Sequence, residues 1–507
     1  MRPSPWLMSA AIIAATGGAT TLCAQRATRS PVQDIATYVE QMRQEWKVPG
    51  LALAIVKDDS IILSRGFGVR ELGKADPVDE HTLFAIASCS KAFTATLVGM
   101  LVSEGKLGWD DRATDRLPGF RLHDPYVTQE ITLRDLMSHK SGLARGDRLW
   151  YASPFDREEV LRRVRYLEPS WSFRSTYGYQ NIMFIAAGEA AARASGTTWD
   201  RLVRERIFLP LGMLETNTST SLLADRPNVA TPHDEIRDTI RPIAWRNFDN
   251  VGAAGAINSN IADMAQWVRL QLGNGSLGAR RIVDSAVIME THSPQTVIPR
   301  TGLLKTLVTE GHFYAYGLGW FLQDYRGRLI VQHGGNLDGM SAFVAMMPEE
   351  GVGFVMLSNL EGSPLRTPLM YRIFDTFLGD ARREWSREWK AATDSLTREG
   401  REREARDSAS RVSGTAPTVP LERFAGRYTH QMYGDLQIAF EDGRLVVRVG
   451  PSFTGDLEHW HFDTFRVTWR DASLGRTYMT FRLNPRGEVA RLDMGLDGDL
   501  SYRRSGD

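Results

Sequence analysis

The chain reads as an α/β protein in which one antiparallel sheet is flanked by helices and interrupted by a helical region, followed by a small all-β domain. Three observations predict this. Strand-like apolar runs occur near both ends of the first 380 residues, at 51–56 and 61–64 and again at 329–332, 342–347 and 353–357, with helical spacing between them. A charged stretch nearly free of core-forming residues then breaks the pattern, and beyond Pro420 short alternating segments punctuated by turns take over. With 507 residues, 42% hydrophobic and 24% charged, the composition is that of a folded chain long enough for two or three domains.

Residues 1–24 combine Arg2, an apolar stretch over 6–15 and small residues ending in Leu22-Cys23-Ala24. This is the pattern of a secretory signal peptide, too short to span a bilayer, and it predicts a periplasmic or secreted protein cleaved near Ala24. Cleavage removes Cys23 and leaves Cys89, so no internal disulfide is available and stability must come from the core. No second membrane segment follows. Sixty-one Lys and Arg balance sixty-one Asp and Glu, which leaves no global positive field for nucleic acid or polybasic membrane attachment.

In chain order, Ile35, Val39, Met42 and Trp46 have helical spacing, stopped by Pro49-Gly50. Lys57-Asp58-Asp59 joins the first two strands as a hairpin. From Ser88 to about Glu104 the residues Phe93, Leu97, Val98, Leu101 and Val102 make a helix apolar over much of its circumference, hence buried. An irregular helix-and-loop region runs from Trp109 to about Ser259, and a second helical stretch covers 261–272. The run from Arg382 to Val412 is charged and predicts a solvated helix or linker. Ser413-Gly414-Thr415-Ala416-Pro417 marks a boundary, and turns at Asp442-Gly443, Asn484 to Gly487 and Asp497-Gly498 punctuate the last domain. The division is therefore 1–24 leader, 30–380 main domain, 381–419 charged linker and 420–507 β domain.

Ser88-Cys89-Ser90-Lys91 places a lysine one turn after a serine at the start of the buried helix. The helix N-terminus adds free N–H groups and positive potential there, and desolvation of Lys91 lowers its pKa so that it can take the serine proton. Ser103-Glu104-Gly105-Lys106 has the same pattern but sits at the other end of that helix, where the dipole has the wrong sign and Gly105 breaks the geometry. Tyr179-Gln180-Asn181 offers a phenol for proton relay and an amide to anchor Lys91 or a substrate carbonyl. His333-Gly334-Gly335 follows a strand; its two glycines let a ligand backbone approach and pair, and a backbone N–H just beyond can polarise a carbonyl. His459-Trp460-His461-Phe462-Asp463 imitates part of a zinc signature, but Thr464 stands where a final histidine is needed and alternating strand residues explain it better.

Ser88-x-x-Lys91, Tyr179-x-Asn181 and His333-Gly334-Gly335, in this order, resemble the penicillin-recognising serine hydrolases, in the branch of class C β-lactamases, D-amino-acid peptidases and related esterases. Leu136 to Leu143, Gly252-Ala253-Ala254-Gly255 and Tyr316 to Trp320 resemble the family as well, and the match spans about 30–380. The resemblance implies a β-lactamase/transpeptidase-like fold with its site between sheet and helical region. It implies Ser88 as nucleophile, Lys91 and Tyr179 as the acid/base pair, and Asn181 as an anchor. The strand of His333, Gly334 and Gly335 would bind substrate, and the N–H groups of Ser88 and Asn336 would form an oxyanion hole, with no metal or cofactor. The expected substrate is a peptide, amide or ester; a class C-like β-lactamase or a non-turnover penicillin-binding sensor is the alternative. Where β-lactamases of this kind carry Lys-Thr-Gly, His333 substitutes a group expected to titrate near neutrality. The segment 420–507 resembles the lipocalin-like barrels appended to some of these hydrolases and implies no catalytic residue.

Overall fold

The computed structural model describes residues 31–495 and 500–506. The leader and the turn expected at Asp497-Gly498 lie outside the described residues.

Eight strands form the main sheet: β1 (Gly50–Lys57), β2 (Ser60–Gly68), β3 (Thr296–Val297), β4 (Tyr314–Tyr316), β5 (Phe321–Tyr325), β6 (Arg328–Leu337), β7 (Met340–Met347) and β8 (Val352–Ser358). Their order is β2-β1-β8-β7-β6-β5-β4-β3, all antiparallel, so the two chain ends meet at the β1–β8 pairing. Asp58 and Asp59, with φ of 48° and 62°, turn the first hairpin. Period-two alternation divides β1 between two cores. Ala52, Ala54 and Val56 face the helical region, whereas Leu51, Leu53 and Ile55 face α1 (Pro31–Glu45) and the C-terminal helices.

Helix α2 (Ser90–Ser103) is buried from Ser90 through Leu101, as its all-round apolar sequence requires, and Phe93 stacks on Trp267. It packs beside α3 (Asn181–Ser195) and the short turn Gly252–Gly255; α4 (Ile261–Leu272) covers β1 and β8. Strand β6 extends five residues beyond the expected run, because Gly334 and Gly335 stay extended and pair with Phe343 and Ala342 on β7.

The charged stretch after the main domain is not uniformly solvated. After α5 (Arg366–Phe377) it forms α6 (Trp385–Ala409), whose first turns belong to the core. Trp385 is fully buried and donates through Nε1 to Asp375 at 2.7 Å, and Trp389 packs four residues on. Two indoles on one helix face outweigh the surrounding charge, and only the later turns of α6 face solvent.

The C-terminal domain is a closed barrel of eight antiparallel strands: β9 (Gly426–His430), β10 (Gly434–Glu441), β11 (Arg444–Val449), β12 (Phe453–His461), β13 (Thr464–Trp469), β14 (Arg476–Leu483), β15 (Val489–Met494) and β16 (Leu500–Arg504). Alternate residues such as Leu436, Ile438, Leu445, Val447, Phe465 and Phe481 fill its interior. Asp463 accepts from Thr418 N and Oγ1 at 2.7 and 2.8 Å, so it fastens the incoming chain. Among the described residues no group of three or more His, Cys, Asp or Glu could hold a metal ion. No described helix is long and apolar enough to cross a membrane.

Candidate active site

Ser88 sits in a tight turn, Ala87–Cys89, immediately ahead of α2. The turn is closed by Cys89 N to Ile86 O at 3.1 Å, and Ser88 N–H has no backbone acceptor among the described residues. Ala87 is buried with φ of 47°, a conformation costly for a residue with a Cβ. Its neighbour explains the glycine opposite: a Cβ on Gly335 would collide with the Ile86 carbonyl oxygen and lie 3.0 Å from Ala87 Cβ. Strand β6 therefore lies directly against the serine turn, and Ser88 keeps partial exposure there.

Lys91 is fully buried. Its Nζ donates to Ser88 Oγ at 3.0 Å and to Ala254 O at 2.8 Å, and it lies 4.9 Å from the Tyr179 ring centroid. Thr94, one helical turn on, bonds Ala253 O at 2.7 Å, so α2 is strapped twice to the Gly252–Gly255 turn. Burial, then the positive charge of Arg145, hold Lys91 well below the ordinary lysine range. For Tyr179 burial raises the phenol, against the lowering effects of its hydrogen bond to Ser88 and of Arg145. The cluster thus joins an amine with a lowered pKa, a serine hydroxyl and a phenol with a raised one, the kinds of group a proton relay from Ser88 needs.

Asn181 does not hold Lys91. Its amide donates to Asp147 Oδ1 at 2.9 Å, which also accepts from Trp150 Nε1 at 2.8 Å, while Asp147 Oδ2 pairs with Arg145. Arg145 is exposed and stacks 5.2 Å over the Tyr179 ring, so Asn181 fixes Tyr179 indirectly, through Asp147 and Arg145.

His333 departs from its expected titration near neutrality. It is 1% exposed, and burial above all pushes it down to about 3. Nδ1 donates to Gly334 O at 2.8 Å, which leaves Nε2 to accept from the Tyr316 hydroxyl at 3.0 Å. The imidazole is a neutral packing group beneath the strand. Asn336 continues β6 opposite Ser341, and its Oδ1 accepts from Ser341 Oγ at 2.8 Å and Arg366 Nη1 at 3.1 Å.

Arg366, His139, Arg145 and Asp147 are absent from the sequence-derived site. Arg366 forms no ion pair among the described residues and lies against Gly334, where a Cβ would sit 3.1 Å from Nη1. His139 accepts from Gln180 N at 3.1 Å and packs 4.4 Å from the Tyr179 ring. His139 lies inside the 136–143 segment that carries the family likeness. The two arginines and Asp147 have no local signal among so many charged residues.

The ordering of the sheet, the helical region and the groove between them defines a β-lactamase/transpeptidase-like fold. Residues 35–376 match the family model described as Beta-lactamase, and the chain belongs to that family. Residues 410–505 match a domain model of unknown function, DUF3471. The unguisins hydrolase ungD' of Aspergillus campestris is 29% identical over 441 residues, covering 82% of this chain and 79% of that protein. The octameric penicillin-binding protein homologue from Pyrococcus abyssi shares the fold with a TM-score of 0.62 and 19% identity, covering 91% of this chain and 98% of that one. A D-stereospecific amidohydrolase from Streptomyces sp. does so with a TM-score of 0.54 and 20% identity, over 65% and 94% of the two chains.

Proposed function

We propose that the protein is an exported serine hydrolase that cleaves an amide or ester carbonyl, of the D-amino-acid peptidase or esterase type, through an acyl-enzyme on Ser88. The observation that carries this is Lys91 Nζ 3.0 Å from Ser88 Oγ, with the lysine fully buried. A neutral amine accepts the hydroxyl proton as Oγ attacks the substrate carbonyl carbon. The oxyanion is received by the Ser88 and Asn336 N–H groups. Collapse expels the amine or alcohol, which takes the proton through the Tyr179 hydroxyl and leaves an ester on Ser88. A water molecule then gives its proton to the same relay and attacks the ester carbonyl; the acyl C–Oγ bond breaks, Oγ takes the proton back to restore the Ser88 hydroxyl, and the acid is released. Because the phenol of Tyr179 is raised rather than lowered, Lys91 is the base of the free enzyme and Tyr179 the carrier. The likeness to a protein named as a hydrolase supports turnover over a merely acylated sensor.

The test is labelling by a fluorophosphonate followed by peptide mapping, with kinetics on short acyl esters and D-aminoacyl amides. Label on Ser88, lost in Ser88→Ala, is expected; label on Ser90 or Ser103 would refute the assignment. A second reading, β-lactam hydrolysis, draws on Arg366, the cation without an acidic partner beside Gly334 and Asn336, since neutral His333 cannot hold a carboxylate. Nitrocefin turnover matching that of the best ester, and lost in Arg366→Ala, would promote it.

A further inference from the structure

Away from Ser88, the loop that follows Asp147 meets the barrel and forms with it a half-open cleft of about 450 Å³. Its walls are mostly apolar and come from both domains: Tyr151 and Phe155 on the loop, Phe453, Trp469, Met494 and Tyr502 on the barrel. Tyr151 stacks on Phe453 with centroids 6.0 Å apart, and Arg246 ties Asp338, just past β6, to Asp471 of the barrel at 2.6 and 2.9 Å. The two domains are thus clamped around a cleft that stays open to solvent. The volume falls in the range of small-molecule sites.

The charged groups on this wall are Arg148, Arg163 and Asp435. Arg148 reaches Met494 Sδ at 3.9 Å and has no carboxylate partner among the described residues. Its charge acts on the phenols of Tyr433 and Tyr502, neither of which has a hydrogen-bond partner in the described protein. The other charged groups lining the cleft are already matched: Arg163 by Glu159 and the Gln431 carbonyl, Asp435 by Arg427. A mostly apolar cleft therefore carries at its rim one exposed cation without a carboxylate partner, beside two phenol hydroxyls.

We propose that this cleft is a binding site for an apolar molecule bearing one anionic group, of the long-chain carboxylate class, with the anion on Arg148 and the apolar body against Phe453 and Trp469. Such a ligand is either a free amphiphile or the remote end of a substrate whose carbonyl lies at Ser88, and the second source rests on the hydrolase reading above.

Titration calorimetry of the full chain with dodecanoate and with dodecanol tests the site, with Ser88→Ala as a parallel sample. Saturable one-to-one binding of dodecanoate is expected in both, independent of catalysis. Arg148→Gln, an exposed position, should keep the wild-type Tm, weaken dodecanoate at least tenfold and leave dodecanol unchanged. Absence of saturable binding by the wild type, or equal dodecanoate affinity in Arg148→Gln, would overturn the site. The p-nitrophenyl monoester of dodecanedioate, compared with p-nitrophenyl acetate, separates the sources. A KM raised for the long ester alone in Arg148→Gln identifies the remote end of substrate; unchanged KM values with lost dodecanoate binding identify a free amphiphile.

Discussion

Helix α2 carries the same Ser-x-x-Lys pattern at both ends, and the two copies differ in everything except sequence. At the first, Lys91 is fully buried, bonded to Ser88 and to a backbone carbonyl, with no acid to neutralise it. At the second, Ser103 closes the helix and Lys106 turns outward to pair with Glu104 at 2.8 Å. At the second the lysine is exposed and engaged by a carboxylate; at the first, burial without a bonded carboxylate holds the lysine well below its ordinary range. The pattern supplies reach, and the environment supplies chemistry.

The largest expected break in this comparison is at the serines. Ser88→Ala should lower turnover of any substrate by about 10³-fold or more, whereas Ser103→Ala should leave it unchanged, read by steady-state kinetics and fluorophosphonate labelling.

Next is the strand that holds the first site in place. Gly335→Ala drives a Cβ into the Ile86 carbonyl and should cost about 10²-fold in kcat by displacing the Ser88 turn. Gly105→Ala, with φ of 69° and nothing near its Cβ, should lower Tm slightly and spare kcat.

The lysines give a smaller effect of opposite sign on stability. Burial depresses Lys91 in the folded state, so between its folded and unfolded pKa the unfolded chain binds a proton that the folded chain refuses, and stability rises with pH. Lys91→Met should therefore abolish turnover yet raise Tm at neutral pH, with the gain shrinking as pH approaches about 10.4. Lys106→Met should move neither.

Smallest is the acid limb. His333 is held down to about 3, below the unfolded value of about 6.5, so stability should fall as pH drops between these values, by up to about 1.4 kcal/mol per pH unit. His333→Gln should flatten that slope in thermal melts, with exposed His123→Gln as control.

Much of the architecture is legible without coordinates. The strands at both ends, the buried helix and the turn residues Asp442 and Gly443 follow from local periodicity and backbone preference, and the observed φ of 48° and 74° fits that turn. The first half of α6 is hidden because a window average counts its many charges, while the fold weighs only Trp385 and Trp389 on the face that finds a core. In the site, Ser88, Lys91 and Tyr179 are legible as candidates, and the fold places Lys91 Nζ 3.0 Å from Ser88 Oγ and 4.9 Å from the Tyr179 ring centroid. Asn181 is legible as a site residue, but its partner Asp147 is not. His333 is legible as a strand residue, but its neutrality is not.

The sequence by itself determined the order of elements, the spacing that lets a lysine reach a serine one turn away, and the glycines that permit β6 to lie against the serine turn. These are properties of neighbours in the chain. Tertiary structure alone decided which lysine is buried, that Arg366 and Arg148 find no carboxylate among the described residues, and that the barrel meets the main domain around a cleft. Charge state depends on burial and on distant partners, here Ala254, Arg145 and Asp147, and no local pattern records which residues the fold will bring around a side chain.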